Sequence, residues 1–348
     1  MTSEAEAAWG VDLGAVAAWM DEQDLPTGAI TGVRELGGGT QNVLLQLERG
    51  GATYVLRRGP RHLRKHSNDA IRREMRVLQA LAGTPVPHPR FVAGCPDTDV
   101  LGDAVFYLMD PVDGFNPTVE LPALHAGDPA IRHAMGLSAA DAIAALGAVD
   151  HVAVGLGDVG NPDGFLERQV PRWLGELERY AELDGYPGHA LPGVDVVAGW
   201  LDDHRPAEWS PGLLHGDYHF ANLMYRWDSA DVAAIVDWEM CTVGDPLLDL
   251  GWLLATGDQA GSGLGLGIGA HGGTPGADEL VARYAESSHR DLSSIGWYRV
   301  LACFKLGIVL EGTNARAMAG LAPTAIGDLL HASAEGLLLQ AVQLVQEG

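Results

Sequence analysis

Residues 213–252 read LLHGDYHFANLMYRWDSADVAAIVDWEMCTVGDPLLDLGW. The stretch places His215, Asp217 and Asn222 on one short loop, then presents Asp237 and Glu239 after an apolar run. Two carboxylates and an amide brought together by a loop and a following hairpin suit two tasks. Hard oxygen ligands can hold a divalent metal, and a carboxylate can orient or deprotonate a hydroxyl nucleophile. A second reading is open: His215 and His219, four apart with Asp217 between them, could ligate zinc in a hydrolase. Gly216 and the preceding apolar strand favour a loop there over the helix face zinc would want. Asp245-Pro246 reads as a helix start, and Asp249 as a partner for the backbone of the 215–222 loop.

Working back toward the N-terminus, residues 30–36, 43–48 and 53–58 read as three strands joined by Gly37-Gly38-Gly39-Thr40-Gln41-Asn42 and by Arg49-Gly50-Gly51. The first glycine turn is either a plain hairpin turn or a flap of backbone N–H groups able to cover phosphates, which would engage Gly38, Gly39, Thr40 and Asn42. Strand alternation puts Val55 and Arg57 on one face. Arg57 and Arg58 are then either a solvated strand end or phosphate-facing. Apolar spacing predicts a helix over 69–81, carrying Glu74, and further strands over 91–95 and 105–109. One helix on a five-stranded antiparallel sheet is expected, ending at a hinge over 109–114. A short helix over 11–22 precedes it.

Toward the C-terminus the composition turns helical. Helices are expected over 133–151, 167–183, 195–204, 278–288, 295–312 and 324–347. The glycine-rich run 257–276 is too long for an ordinary connection and reads as a mobile flap or a disordered segment.

At 348 residues, 47% hydrophobic and 20% charged, the chain can bury a large core. A net charge of −24 argues against a nucleic-acid or anionic-membrane surface. No apolar run is long enough to span a bilayer, and the acidic start is unlike a secretory signal. Cys95, Cys241 and Cys303 are widely spaced and odd in number, as expected of reduced thiols in a cytoplasmic protein. Every basic residue is Arg except Lys65 and Lys305.

HGDYHFANLM followed by IVDWE and GDPLLDL resembles the aminoglycoside phosphotransferase-like (choline kinase-type) kinases, which share the protein-kinase fold. YVLRR, RREMRVLQAL, FYLMD, WEMCTVGDPLLDLGW and FKLGIVLEG look most like the kinase domains related to acyl-CoA dehydrogenase fusion proteins. The resemblance implies an α+β, bilobed, protein-kinase-like fold. Residues 1–113 would be a nucleotide-binding lobe with a small antiparallel sheet, and 114–348 a larger, mostly helical catalytic lobe.

It also implies ATP- and Mg²⁺-dependent transfer of the γ-phosphoryl group to a hydroxyl of a small molecule: antibiotic-like, a sugar or amino alcohol, or a hydroxyacyl compound. Asp217 would be the catalytic base, and Asn222 and Asp237 would hold the metal. His215 would support the loop, and Glu239 is either a further metal or substrate contact or a solvated turn carboxylate. Arg57 stands where the resemblance implies a phosphate-binding lysine, with Glu74 as its partner. That departure keeps open a nucleotide-binding module without turnover. Adenine would meet the Asp110 carbonyl and the Val112 N–H, and the acceptor would lie among Asp217, Trp173, Trp200, Tyr298 and Lys305. The assembly would be a monomer or homodimer.

Overall fold

The computed structural model describes residues 9–37, 42–119, 121–257 and 268–347. By contacts the chain divides into two compact units. The first holds Met1–Asp113, Val154–Leu156 and Ala234–Glu239, and the second the remainder.

In the first unit, strands β1 (Thr31–Glu35), β2 (Val43–Arg49), β3 (Ala52–Arg58), β4 (Phe91–Cys95) and β5 (Phe106–Met109) form one antiparallel sheet in the order β1-β2-β3-β5-β4. The β2–β3 turn closes in two residues. Arg49 pairs with Ala52, and Gly50 and Gly51 both have positive φ, the geometry that matches strand twist in a tight hairpin.

Alternation sends Val43, Leu45, Leu47, Tyr54, Leu56, Phe106 and Leu108 to one face. Helix α1 (Leu13–Glu22) covers that face with Val16, Trp19 and Met20, and Trp19 meets Phe106 edge-on. The sheet therefore carries two helices where one was expected. Helix α2 (Ser67–Leu81) packs on β4 and β5, burying Ile71, Glu74, Met75, Val77, Leu78 and Leu81.

The second unit is mostly helical. It runs through α3 (Ala123–Gly127), α4 (Pro129–Gly147), α5 (Gln169–Tyr180) and α6 (Val194–Asp203) to the short strand β6 (Gly212–Leu214). A single 3₁₀ turn (Phe220–Asn222) leads into β7 (Leu223–Tyr225), which pairs with β8 (Val232–Ile235); β9 (Thr242–Gly244) returns antiparallel to β6. Helices α7 (Leu247–Gly257), α8 (Ile268–His271), α9 (Ala277–Ser287), α10 (Ile295–Met318) and α11 (Thr324–Glu347) complete it, with α10 packed along both α7 and α11.

Helix α4 starts and ends four residues earlier than the apolar spacing suggested. Asp128 caps it by accepting from the Ala130 N–H, and Pro129 fits the first turn because its missing N–H would be unpaired there anyway. Of the glycine-rich run, 258–267 lies outside the described residues. The rest corrects the expectation of a flap or disorder: 268–271 is helical, and the buried Arg132 donates to the carbonyls of His271 and Gly272.

Candidate active site

Each unit gathers one polar cluster. In the first unit, β3 delivers Arg57 and α2 delivers Glu74. Arg57 Nε and Nη2 donate to Glu74 Oε2 and Oε1, both at 2.7 Å, and Nη2 also donates to Asp237 Oδ1 at 2.6 Å. Tyr107, one strand over, donates its hydroxyl to Glu74 Oε2 at 3.1 Å. Burial alone would lower the Arg57 pKa, but Glu74, then Tyr107 and Asp237, hold it well above the ordinary value, so the guanidinium stays charged. Arg58 is buried too, its guanidinium donating to backbone carbonyls of Gly10, Gly59 and Pro60. Neither arginine is a solvated strand end.

Asp237 follows β8 with φ +67°, a left-handed conformation that Asp tolerates better than most residues. The 3₁₀ turn after it, held by Trp238 Nε1 donating to the Ile235 carbonyl, brings Glu239 round. One carboxylate oxygen from each of Glu74, Asp237 and Glu239 lies within 4.8 Å of the others. Both Glu74 oxygens are taken by Arg57, so the hard oxygen donors left to offer a divalent cation are those of Asp237 and Glu239. Asn42 Nδ2 reaches Glu239 Oε2 at 3.4 Å.

Val55 is buried in β3, two residues before Arg57. At the hinge, the Asp110 N–H is taken by the Arg90 carbonyl and its carboxylate by the Arg90 guanidinium, while Val112 is half-buried. Gly38, Gly39 and Thr40 lie outside the described residues.

In the second unit, β6 runs into the loop. Asp249, in the first turn of α7, accepts the N–H of His215 at 2.5 Å and of Gly216 at 2.9 Å. Gly216 has φ +86°, and a Cβ there would sit 2.5 Å from the Met240 carbonyl oxygen, so no other residue fits. Next comes Asp217. Asn222 Nδ2 donates to its carboxylate at 3.0 Å and to its carbonyl at 2.9 Å, and His219 Nε2 lies 3.3 Å from its other oxygen. Burial alone would raise the Asp217 pKa. The His219 hydrogen bond, then the charges of His219, His215 and Lys305, outweigh it and hold the carboxyl well below the ordinary range.

The zinc alternative fails on this geometry. The His219 ring is spent between Asp217 and the Ala221 N–H, His215 is fully buried, and among the described residues the acidic trio above, not these three, brings ligand atoms together.

The acceptor-side expectation needs correcting. The Tyr298 hydroxyl donates to Asp245 at 2.5 Å, and both line a cleft of about 870 Å³ together with Leu247, Trp209 and Arg290. Trp200 stacks on His204. Trp173 and Lys305 do meet, with Trp252 as a third member: the Lys305 ammonium lies over both indoles and donates to the Gly216 carbonyl. Sequence reasoning missed Trp252 and Tyr107 altogether, and gave Lys305 no contact with the loop.

Among the described residues no helix is long and apolar enough to cross a membrane. The chain is 30% identical over 307 residues to acyl-CoA dehydrogenase family member 11 of Gallus gallus, which covers 85% of this chain and 38% of that protein. The chain spans 25–38% of the length of the curated relatives it matches. A solved structure from Ralstonia eutropha, assigned as an aminoglycoside phosphotransferase, superposes with TM-score 0.81 at 29% identity, covering 97% of this chain and 98% of that one. An aminoglycoside phosphotransferase solved with ADP and hygromycin B shares the fold at TM-score 0.60 and 15% identity, covering 95% of this chain and 98% of that one. The two polar clusters thus sit on the kinase-like aminoglycoside phosphotransferase fold. With the model of the phosphotransferase enzyme family matching residues 32–292, the chain belongs to that family.

Proposed function

We propose that the chain is an ATP- and Mg²⁺-dependent phosphotransferase that moves a γ-phosphoryl group to a hydroxyl of a small molecule. The observation that carries this reading is the ionised Asp217 carboxylate, held by Asn222 on a loop whose backbone Asp249 clamps. In the reaction the acceptor oxygen attacks the γ-phosphorus, and the bond from that phosphorus to the β–γ bridging oxygen breaks. ADP leaves, and the hydroxyl proton passes to Asp217. So acidic a carboxylate is a weak base, so Asp217 orients the hydroxyl first and takes the proton late, as the new P–O bond forms.

Asn222 and Asp237 would hold the metal, with Glu239 a further donor beside Asp237. The bound ion supplies charge neutralisation for the phosphates. Arg57, oriented by Glu74, would face the phosphates in place of a lysine; its fork can grip phosphate oxygens bidentately. Residues 1–113 form the nucleotide lobe in this reading. Gly38, Gly39, Thr40 and Asn42 would cover the phosphates, Val55 would lie against the base, and the Asp110 carbonyl and Val112 N–H would read its edge. His215 and Asp249 support the loop.

For the acceptor, relatives named as acyl-CoA dehydrogenase family members favour a hydroxyacyl compound over an aminoglycoside. The test is a panel of hydroxyl compounds screened for Mg²⁺-dependent ADP release. Asp217→Asn should lose about 100- to 10,000-fold in kcat, the usual worth of a positioned base. Nucleotide binding with no turnover on any acceptor, or an Asp217→Asn protein as active as wild type, overturns the proposal. The first outcome would point to the non-catalytic module that Arg57 leaves open.

A further inference from the structure

Lys305 is 4% exposed, on the inward face of α10. Its Nζ donates to the Gly216 carbonyl at 2.7 Å and lies 4.2 Å from the ring centre of Trp252 on α7 and 5.3 Å from that of Trp173 on α5. Among the described residues no carboxylate pairs with it directly. An ammonium taken out of water without an ion partner is costly, and a Met would fill the same space without that cost. A lysine in that place needs a reason beyond packing.

We propose that Lys305 is a positioning residue for Asp217: its ammonium, caged by two indoles, fixes the Gly216 carbonyl and sets the field in which the Asp217 carboxylate works. Asp249 holds the N–H side of the loop, at His215 and Gly216, and Lys305 holds the carbonyl side of Gly216. The peptide leading into Asp217 is gripped from both directions by two different helices.

Burial pulls the Lys305 pKa down to about 8, against the opposing charges of Asp217 and Asp249 and with help from Arg172 on α5. His215 faces the same two carboxylates. Two opposite trends with pH follow. Above about pH 8 the ammonium is lost and turnover falls. Between about 8 and the ordinary value of 10.5, the unfolded chain binds the proton that the folded chain has released, so this group's effect on stability improves as pH rises. A packing residue would not make activity and stability diverge.

The role rests on Asp217 being the base, and the experiment separates the two claims. The chain has two lysines, so ¹³C-labelled lysine gives two side-chain signals, and Lys305→Met identifies the one to follow. That signal should titrate near pH 8, and Asp217→Asn should move its midpoint downward, because one attracting charge is gone. A midpoint that Asp217→Asn leaves unmoved overturns the proposal whether or not the protein turns over.

In Mg²⁺-ATP turnover with the acceptor from the panel, or with water as acceptor, Lys305→Met should lose about 10- to 100-fold in kcat with little change in the KM for ATP, as a slightly misplaced catalytic group does. Its alkaline loss near pH 8 should disappear. A wild-type kcat in Lys305→Met sinks the role of Lys305, and an active Asp217→Asn sinks the base assignment and that role with it. Should Lys305→Met fail to fold, the wild-type pH profile decides: a kcat flat through pH 8 overturns the proposal.

Discussion

At Asp237 the backbone and the side chain make separate demands. Its φ of +67° places a non-glycine residue in the left-handed region, while its carboxylate reaches Arg57 and lies beside Glu74 and Glu239. Asp237→Asn keeps a residue that accepts this backbone, whereas Asp237→Val adds a β-branched clash costing about 1–2 kcal/mol. Chemical denaturation should therefore place the Asn variant close to wild type and the Val variant clearly below it, while both lose Mg²⁺-dependent turnover. Equal destabilisation of the two would show that the carboxylate, not the backbone, sets the fold's tolerance there. Asp217 and Asn222 were legible in the sequence because one loop carries both. Strand alternation put Arg57 on a face with Val55, while its phosphate-facing role and its pairing with Glu74 came from the family resemblance. The contact of Lys305 with the loop was not legible: its partner Gly216 lies 89 residues away, and no periodicity marks a contact made only by tertiary packing.

Among the elements, α7 leaves little room for change. Its residues from Leu247 to Ala255 are buried, and an added Cβ at Gly251 would sit 2.5 Å from the Tyr298 carbonyl oxygen on α10. Backbone cannot yield as a side-chain tip does, so Gly251→Ala, helix-favouring in isolation, should destabilise by about 1–3 kcal/mol. Since α7 also carries Asp249 and Trp252, activity should fall at temperatures where the variant is still folded; a stabilised variant would show that the helices can slide apart. The limits of pattern reading appear in the same layer. Helix α4 was displaced by four residues because the Asp128-Pro129 start was passed over in favour of apolar spacing. Helix α1 was recognised, but nothing in its short amphipathic pattern told which face of the sheet it would cover.

For the whole molecule, nucleotide binding has a global readout. A ligand that binds only the folded state, present at a hundred times its dissociation constant, adds about 2.7 kcal/mol to stability. Mg²⁺-ATP should raise the melting temperature by roughly 4 °C, from an unfolding entropy of about 2.1 cal/mol/K per residue, and Arg57→Ala should lose most of that gain. No shift with the wild-type protein would remove the nucleotide from the proposal. The fold class was open to a sequence reader because its signatures are contiguous stretches; the acceptor was not, because no contiguous stretch marks it. One further consequence comes from Asp249. It grips the peptide groups of positions 215 and 216 together, so loss of this single carboxylate would release both at once, while the buried imidazole at 215 acts separately, through its field on Asp217 and Asp249.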